Sequence, residues 1–246
     1  MLQFDIRTNA RDVMLQMQQL QKKHLPQAMM DAANATGRYI HAALRSEMSE
    51  VFDRPTSWTL GGLRFKLATK SRPEVNIWLE DFGGKGTASG KYLTPQITGG
   101  ARKHKRFERA LIMKGLMPAG MFAVPTKAAP LDAYGNVPGP FIVRMLSDLR
   151  AFGEQGYRAN RRGARRGRKR SNYFFVPFKA DKSKKPGIWW HMPNDMIVPI
   201  FIFTTAPRYA KRYDFYGVAQ RAYERVSRRF LEQAIAARVR MDNSAP

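Results

Sequence analysis

Apolar and polar residues near the N-terminus follow the spacing of a strand and then of two helices. The stretch "LQFDIRT" alternates as a half-buried strand does. Val13, Met17 and Leu20 then recur at helical spacing. Pro26 suits the first turn of a second helix, which we expect to reach about Glu50. The predicted buried face of this second helix consists of Met29, Ala33, Gly37, Ile40 and Leu44.

The pattern changes to a period of two from Trp58 to Glu80, which predicts β structure. Gly61-Gly62 is interpreted as a bulge or turn, because no helix-opening Lys-Ser/Thr follows it. Residues Gly83 to Lys91, "GGKGTASGK", have the composition of a flexible loop. An extended piece is then expected to end at Gly99-Gly100.

A helix with a basic outer face is predicted from Lys103 to Lys114. Phe107, Leu111 and Ile112 have the spacing of an inward face. The residues predicted to make the outer face basic are Arg102, Lys103, Lys105, Arg106 and Arg109. Two interpretations remain open at this point. The face is either solvated, or it contacts a polyanion or a partner protein, since arginine and lysine position phosphates without reading sequence.

The C-terminal half predicts strands between two helices. Turn residues precede a helix from about Phe141 to Phe152, and "DMIVPIFIFTT" is typical of a buried strand that Pro199 makes an edge or a bulge. A long helix is expected from about Arg208 to Arg240, followed by a flexible tail at 241–246. Its predicted core contacts are Val218, Ala222, Val226, Phe230 and Ile235. Together these patterns predict a single α+β domain over residues 1–246, with a mainly antiparallel sheet, an N-terminal helical hairpin and a long C-terminal helix.

Charge adds a possible partner class to this picture. The net charge is +24 in 246 residues, which favours a polyanionic partner such as DNA, RNA or an acidic protein assembly. A basic insertion loop is predicted at 157–171, and glycines at 163 and 167 argue against a rigid recognition helix there. Its eight charges lie on Arg158, Arg161, Arg162, Arg165, Arg166, Arg168, Lys169 and Arg170. Three interpretations of this run remain open: it binds nucleic acid, it binds an acidic protein surface, or it is a solvated loop without a dedicated partner.

Residues for catalysis are scarce. The chain has no cysteine, and its four histidines (His24, His41, His104 and His191) are scattered without metal-ligand spacing. No carboxylate cluster suited to Mg²⁺, nucleotide-binding loop or nucleophile motif is recognisable. We therefore predict a protein that is not an enzyme and holds no cofactor or metal. The longest apolar stretch, "MIVPIFIF", is far shorter than the about 20 residues needed to cross a bilayer, and no signal-peptide core is recognisable, so we expect a soluble chain without membrane contact.

Aromatic residues beside the basic run have two possible roles. Tyr173-Phe174-Phe175 and Trp189-Trp190 resemble a base-stacking platform in composition. Alternate members of such strands must face inward, however, and core packing is the favoured interpretation.

Four stretches resemble proteins from the tail-assembly regions of tailed bacteriophages. They are "RPTSWTLGGLRFKLATK…VNIWLED", "YLTPQITGGARKHKRFERAL", "MPAGMFAVPTKAAPLDAYGNV" and "IVRMLSDLRAF". The family they resemble is the minor tail protein Z group, the tail-completion or neck proteins. The similarity extends from about Asp5 to Ala236 and is tightest between Tyr92 and Phe152.

The resemblance implies a non-enzymatic virion protein that completes the tail and helps join it to the head around the DNA channel. It implies a homo-oligomeric ring, assembled in the host cytoplasm. The implied partners are virion proteins on the portal or adaptor side and on the tail-tube or terminator side, with genomic DNA in the channel as a further contact. The alternative from charge alone is a stand-alone nucleic-acid-binding protein without sequence specificity. An enzyme of DNA metabolism ranks last.

Overall fold

The structure, a computed structural model, describes residue 22 and residues 24–82, 87–153, 172–177, 185–206 and 208–243. It confirms the α+β fold, with antiparallel sheets and a long helix towards each end of the described chain. Contacts divide the chain into two compact units, residues 1–91 with 212–246 and residues 92–211. The expectation of a single domain stays a prediction.

The described part of the chain contains six helices and eight strands. In chain order they are α1 (Leu25–Val51), α2 (Ser57–Gly61), β1 (Leu63–Lys66), β2 (Asn76–Leu79), α3 (Ser89–Thr98), β3 (Gly100–Ala101), α4 (Arg106–Met113), β4 (Phe122–Pro125), α5 (Gly139–Asp148), β5 (Tyr173–Phe175), β6 (Gly187–His191), β7 (Ile197–Thr204), β8 (Arg208–Tyr209) and α6 (Phe215–Asn243).

The first unit is built on the antiparallel pair α1 and α6. The Tyr213 hydroxyl, just before α6, donates to the Leu44 carbonyl near the end of α1 at 3.3 Å. At the other end of the pair, Arg238 forms an ion pair with Asp31. Of the predicted core contacts of α6, Val218, Ala222 and Val226 are buried, and Phe230 and Ile235 are half-buried. The pair is thus held by an apolar seam with one ion pair at its far end.

The buried face of α1 is rotated by about one residue from the prediction. The fully buried apolar residues are Ala28, Ala32, Leu44 and Met48, whereas Met29 is 42% exposed. Gly37 and Leu44 belong to both the predicted and the observed face. Neighbouring positions on a helix point about 100° apart, so the predicted residues form a second apolar stripe beside the buried one.

That second stripe faces the β1–β2 hairpin around Gly37. A Cβ atom on Gly37 would lie 2.6 Å from Val75 Cγ1 and 2.7 Å from Phe65 Cε2. The small residue therefore lets the hairpin approach α1 closely. The hairpin is also tied to α1 by Asn34, whose Oδ1 accepts from the Ala68 amide at 2.8 Å.

Two predictions between α1 and α4 are also wrong. Residues 57–61 form a helix where β structure was expected, because Thr56 caps it by accepting from the Thr59 amide at 3.1 Å. Helix α3 begins at Ser89, inside the predicted loop Gly83 to Lys91, and replaces the extended piece before Gly99. Ser89 is buried and donates to the Gly62 carbonyl at 3.2 Å, a tertiary contact that the local sequence does not reveal.

The second unit packs helices against a four-stranded antiparallel sheet in the order β4-β7-β6-β5. Pro199 lies in the interior strand β7, opposite Trp189, where β6 shifts register between Ile188 and Trp189. Of the edge or bulge predicted at this proline, the bulge is confirmed, whereas β7 is not an edge strand. Phe174 is buried in the core and Trp190 packs against that core, as the core interpretation of these aromatics predicted.

Both ends of α6 differ from the prediction. Arg208–Tyr209 is a strand paired with Gly100–Ala101, and α6 begins only at Phe215. Asp214 sets this start by accepting from the Gly217 amide at 3.1 Å. Residues 241–243 are helical, so the predicted tail 241–246 begins too early. The predicted first strand and first helix, and hence the N-terminal helical hairpin, lie outside the described residues.

Candidate polyanion-binding surface

The basic segment before α4 is anchored by one arginine that points inward. Arg102 was predicted on the outer face, but its side chain is only 11% exposed and pairs with Glu108, whose side chain is fully buried. The pair is bidentate: Arg102 Nη1 donates to Glu108 Oε2 at 2.7 Å, and Nη2 donates to Oε1 at 2.6 Å. Arg102 points inward because the buried Glu108 carboxylate requires a cation and hydrogen-bond donors around it.

Glu108 joins three pieces of backbone at this point. Its Oε2 also accepts from the Lys105 amide at 2.6 Å, which caps the start of α4, and its Oε1 accepts from the Ala123 amide of β4 at 2.9 Å. Burial would raise the pKa of this carboxyl, but the hydrogen bonds from Arg102, Lys105 and Ala123 outweigh it and hold the pKa below the ordinary value. Burial likewise works against the charge of Arg102, and Glu108 overcomes it and raises the arginine's pKa.

Phe122 provides the apolar side of the same anchor. The guanidinium carbon of Arg102 lies 4.8 Å from the centre of the Phe122 ring, within cation–π range. The His104 ring stacks on Phe122 with centroids 4.2 Å apart, and its Nε2 donates to the Met121 carbonyl at 2.9 Å. The segment from Arg102 to Lys105 is therefore held against β4 by the contacts of Arg102 and His104 with the Phe122 ring.

The other four predicted residues are exposed, as expected. Lys103, Lys105, Arg106 and Arg109 lie at the surface, while Phe107 and Leu111 on the opposite side of α4 are buried. Four cations on a short anchored segment suit non-specific contact with phosphates or with carboxylates of a protein surface. We call these four residues the α4 basic face.

Lys105 has a special position in the α4 basic face. Loss of water around the ammonium and the charge of Arg102 lower its pKa, and the charge of Glu108 opposes them. The side chain still reaches the surface, so an anion can approach it. A bound anion would offset the repulsion between the Lys105 ammonium and the Arg102 guanidinium.

The eight basic residues from Arg158 to Arg170 lie outside the described residues, as does the whole predicted insertion loop 157–171. Of the two predicted basic sets, the structure describes only the second.

The described side chains form no recognisable catalytic centre. No group of three or more His, Cys, Asp or Glu suited to a metal ion occurs among them. His41 contacts the Leu63 carbonyl at 3.2 Å, and Glu80 pairs with Arg64 at 3.0 Å, so each already has a local structural contact. Within the same residues, no helix has the length and apolar character needed to cross a membrane.

Sequence reasoning missed Glu108 and Phe122. Glu108 carried a signal, because an acid three residues after a helix cap is the position that folds back onto the cap amide. Phe122 carried none, since its contact with Arg102 bridges about twenty residues of sequence. Comparison with protein-family models, with curated proteins and with solved structures finds no match to this chain.

Proposed function

We propose that this chain is a structural, non-enzymatic protein of a phage neck or tail, which completes the tail and helps join it to the head. In this role it uses basic surfaces to contact DNA in the channel or an acidic neighbouring protein. The proposal rests on the resemblance between Tyr92 and Phe152 and on the charge of +24.

The observation that carries the proposal furthest is the α4 basic face, which lies inside the stretch of tightest resemblance. The buried Arg102–Glu108 pair fixes the backbone that presents these four cations. A surface already ordered in this way loses little conformational entropy on contact, which favours a standing role in an assembly. Its side chains suit contact with phosphates or carboxylates.

Electron microscopy of particles made without this protein tests the role. We expect full heads and tails that remain separate, because the joining component is missing. Normal tails firmly joined to full heads in these particles would refute the proposal.

Complementation with charge variants tests the surface. Replacing Lys103, Arg106 and Arg109 with glutamine should reduce the yield of joined particles. The matched control replaces the exposed residues Arg38, Arg225 and Arg229 with glutamine, which also removes three positive charges. Equal yields from the two variants would show that the position of the charge is unimportant and would contradict the role of the α4 basic face.

The second candidate function is stand-alone, non-specific nucleic-acid binding, which the net charge favours. It predicts that log K for duplex DNA falls linearly with log salt, by about 0.9 for each phosphate neutralised. Absence of DNA affinity at low salt would remove this candidate. Tight DNA binding together with normal head–tail joining in particles that lack the protein would favour it over the structural role.

A further inference from the structure

The four-stranded sheet of the second unit carries aromatic rings on the side that faces away from its core. On the core side, the Phe141 ring of α5 lies 5.1 Å from the Phe174 ring and 5.7 Å from the Trp190 ring. Successive side chains of a strand point to opposite sides of a sheet, so the neighbours of Phe174 and Trp190 point away from the core. These partly exposed neighbours, which we call the outer aromatic face, are Tyr173 and Phe175 on β5 and Trp189 and His191 on β6.

The strand register places these four rings next to one another. Tyr173 is paired with His191 across β5 and β6, and Phe175 is paired with Trp189. The Tyr173 ring stacks on the His191 ring with centroids 5.2 Å apart, and the Tyr173 and Phe175 centroids are 5.9 Å apart. Their mutual contacts order the rings before any ligand binds, which lowers the entropy cost of binding.

Lys185 adds a positive charge at one end of the outer aromatic face. Trp189 Nε1 donates to the Lys185 carbonyl at 3.1 Å, so this exposed lysine lies beside the indole ring. The other end of β6 has an acid beside it, since Asp195 Oδ1 lies 3.7 Å from His191 Nε2. A phosphate is therefore favoured at the Lys185 end and disfavoured at the Asp195 end.

We propose that the outer aromatic face binds single-stranded nucleic acid by stacking on its bases. Proteins that bind single strands without sequence preference combine aromatic side chains with positive charge, and a four-stranded sheet can stack two or three bases in this way. The net charge of +24 attracts the polyanion over longer distances. Duplex DNA is a poor ligand for this face, because its bases must first be unstacked. The proposal deepens the second candidate function, on which its ligand class rests, and it does not depend on head–tail joining.

The affinity of the full chain for an oligothymidine of about ten nucleotides tests the proposal. Trp189→Leu keeps an apolar side chain on the sheet but removes the ring. It should weaken binding about 5- to 150-fold, the range for one base stacked on one aromatic side chain. Trp189→Phe keeps a ring and should retain most of the affinity. The matched control is Trp78→Leu, which removes a tryptophan that is 41% exposed on the β1–β2 hairpin and should leave the affinity unchanged. Thermal unfolding confirms that each variant is folded.

A duplex of the same length separates this face from the α4 basic face, which lies next to β4 at the opposite edge of the sheet from β5. Trp189→Leu should leave the affinity for the duplex unchanged, because contacts with phosphates do not need the ring. Absence of affinity for both ligands at low salt would remove the second candidate function together with this proposal. An affinity for oligothymidine that is the same in the wild-type chain and in Trp189→Leu would remove this proposal alone.

Photocrosslinking of the wild-type chain gives a measurement that needs no variant. An oligothymidine with 5-iodouracil in place of one thymine crosslinks to an aromatic side chain that stacks on it. Mass spectrometry should then find the crosslinks at Tyr173, Phe175, Trp189 or His191.

Three further results would overturn the proposal. One is a loss of oligothymidine affinity in Trp78→Leu as large as that in Trp189→Leu. Another is a loss of duplex affinity in Trp189→Leu equal to its loss of oligothymidine affinity. The third is crosslinking confined to residues outside the outer aromatic face.

Discussion

The start of α4 and the exposed side of α6 each carry an arginine–glutamate pair, and the two pairs differ in nearly every physical respect. Arg102 and Glu108 lie 2.6 Å apart with side chains 11% and 0% exposed. Arg228 and Glu232 lie 2.8 Å apart with side chains 91% and 63% exposed. The distances are alike, so distance does not determine what a pair contributes. Burial and the number of hydrogen bonds determine it.

The difference matters because acids are scarce in this chain, at 19 against 43 lysines and arginines. One of these few acids is placed where it joins the Arg102 guanidinium, the cap of α4 and strand β4. On α6 the exposed charges lie around a helix that is held by buried residues such as Val218 and Val226. The α4 basic face thus depends on a buried charge, whereas α6 does not depend on its exposed ones.

Removing the charge of Glu108 should have the largest effect on stability. Glu108→Gln keeps the shape of the side chain but leaves the Arg102 guanidinium buried without a carboxylate. Breaking a buried pair in this way costs about 3–5 kcal/mol of unfolding free energy. Urea denaturation of the full chain measures the loss. A change below about 1 kcal/mol, the range of exposed pairs, would show that the two regions do not differ as described.

The pH dependence of that loss sharpens the comparison. The pKa of Glu108 is lower in the folded chain than its ordinary value of 4.5, so the carboxylate stabilises the fold fully above pH 4.5. This contribution is lost as the pH falls through the folded pKa. The difference between the wild-type chain and Glu108→Gln should therefore be constant near neutral pH and shrink below 4.5. A difference that stays constant on both sides of pH 4.5 would mean that folding does not lower the pKa of Glu108.

The two regions also differ in how well the sequence predicts them. The bounds of α1 and the seam of α6 could be predicted, because Pro26 and the spacing of Val218, Ala222 and Val226 are local signals. Helix α3 could not be predicted, because Pro95 and its β-branched neighbours are unfavourable in a helix. The helix is supported instead by a tertiary hydrogen bond from Ser89 to Gly62. The direction of Arg102 was missed for the same reason. Arg102 precedes α4, so helical spacing does not predict the direction of its side chain. That direction depends on contacts with Glu108 and with Phe122, which is distant in sequence.

Tyr213 tests whether α6 is held by its buried contacts. Its side chain is 1% exposed, and its hydroxyl donates to the Leu44 carbonyl of α1. Burial and the charge of Glu47 raise its pKa, so the hydroxyl keeps its proton and remains a donor. Tyr213→Phe removes one hydrogen bond and should cost about 1 kcal/mol. Tyr216→Phe, at a side chain 75% exposed, is the matched control and should have no effect on thermal unfolding. A Tyr213→Phe variant as stable as this control would contradict the hydrogen bond.

Glu232→Gln should have the smallest effect, and it is the counterpart of Glu108→Gln. The substitution is chemically identical, but it breaks a pair that water surrounds on both sides. The arginine also precedes the glutamate by four residues, which is the less favourable order along a helix. We therefore expect the urea midpoint to stay within experimental error of the wild-type value. Raising the salt concentration should erase any remaining difference, because exposed charges are screened over about 3 Å at 1 M salt. A loss comparable to that of Glu108→Gln would mean that α6 depends on its surface charges after all, and the contrast between the two regions would fail.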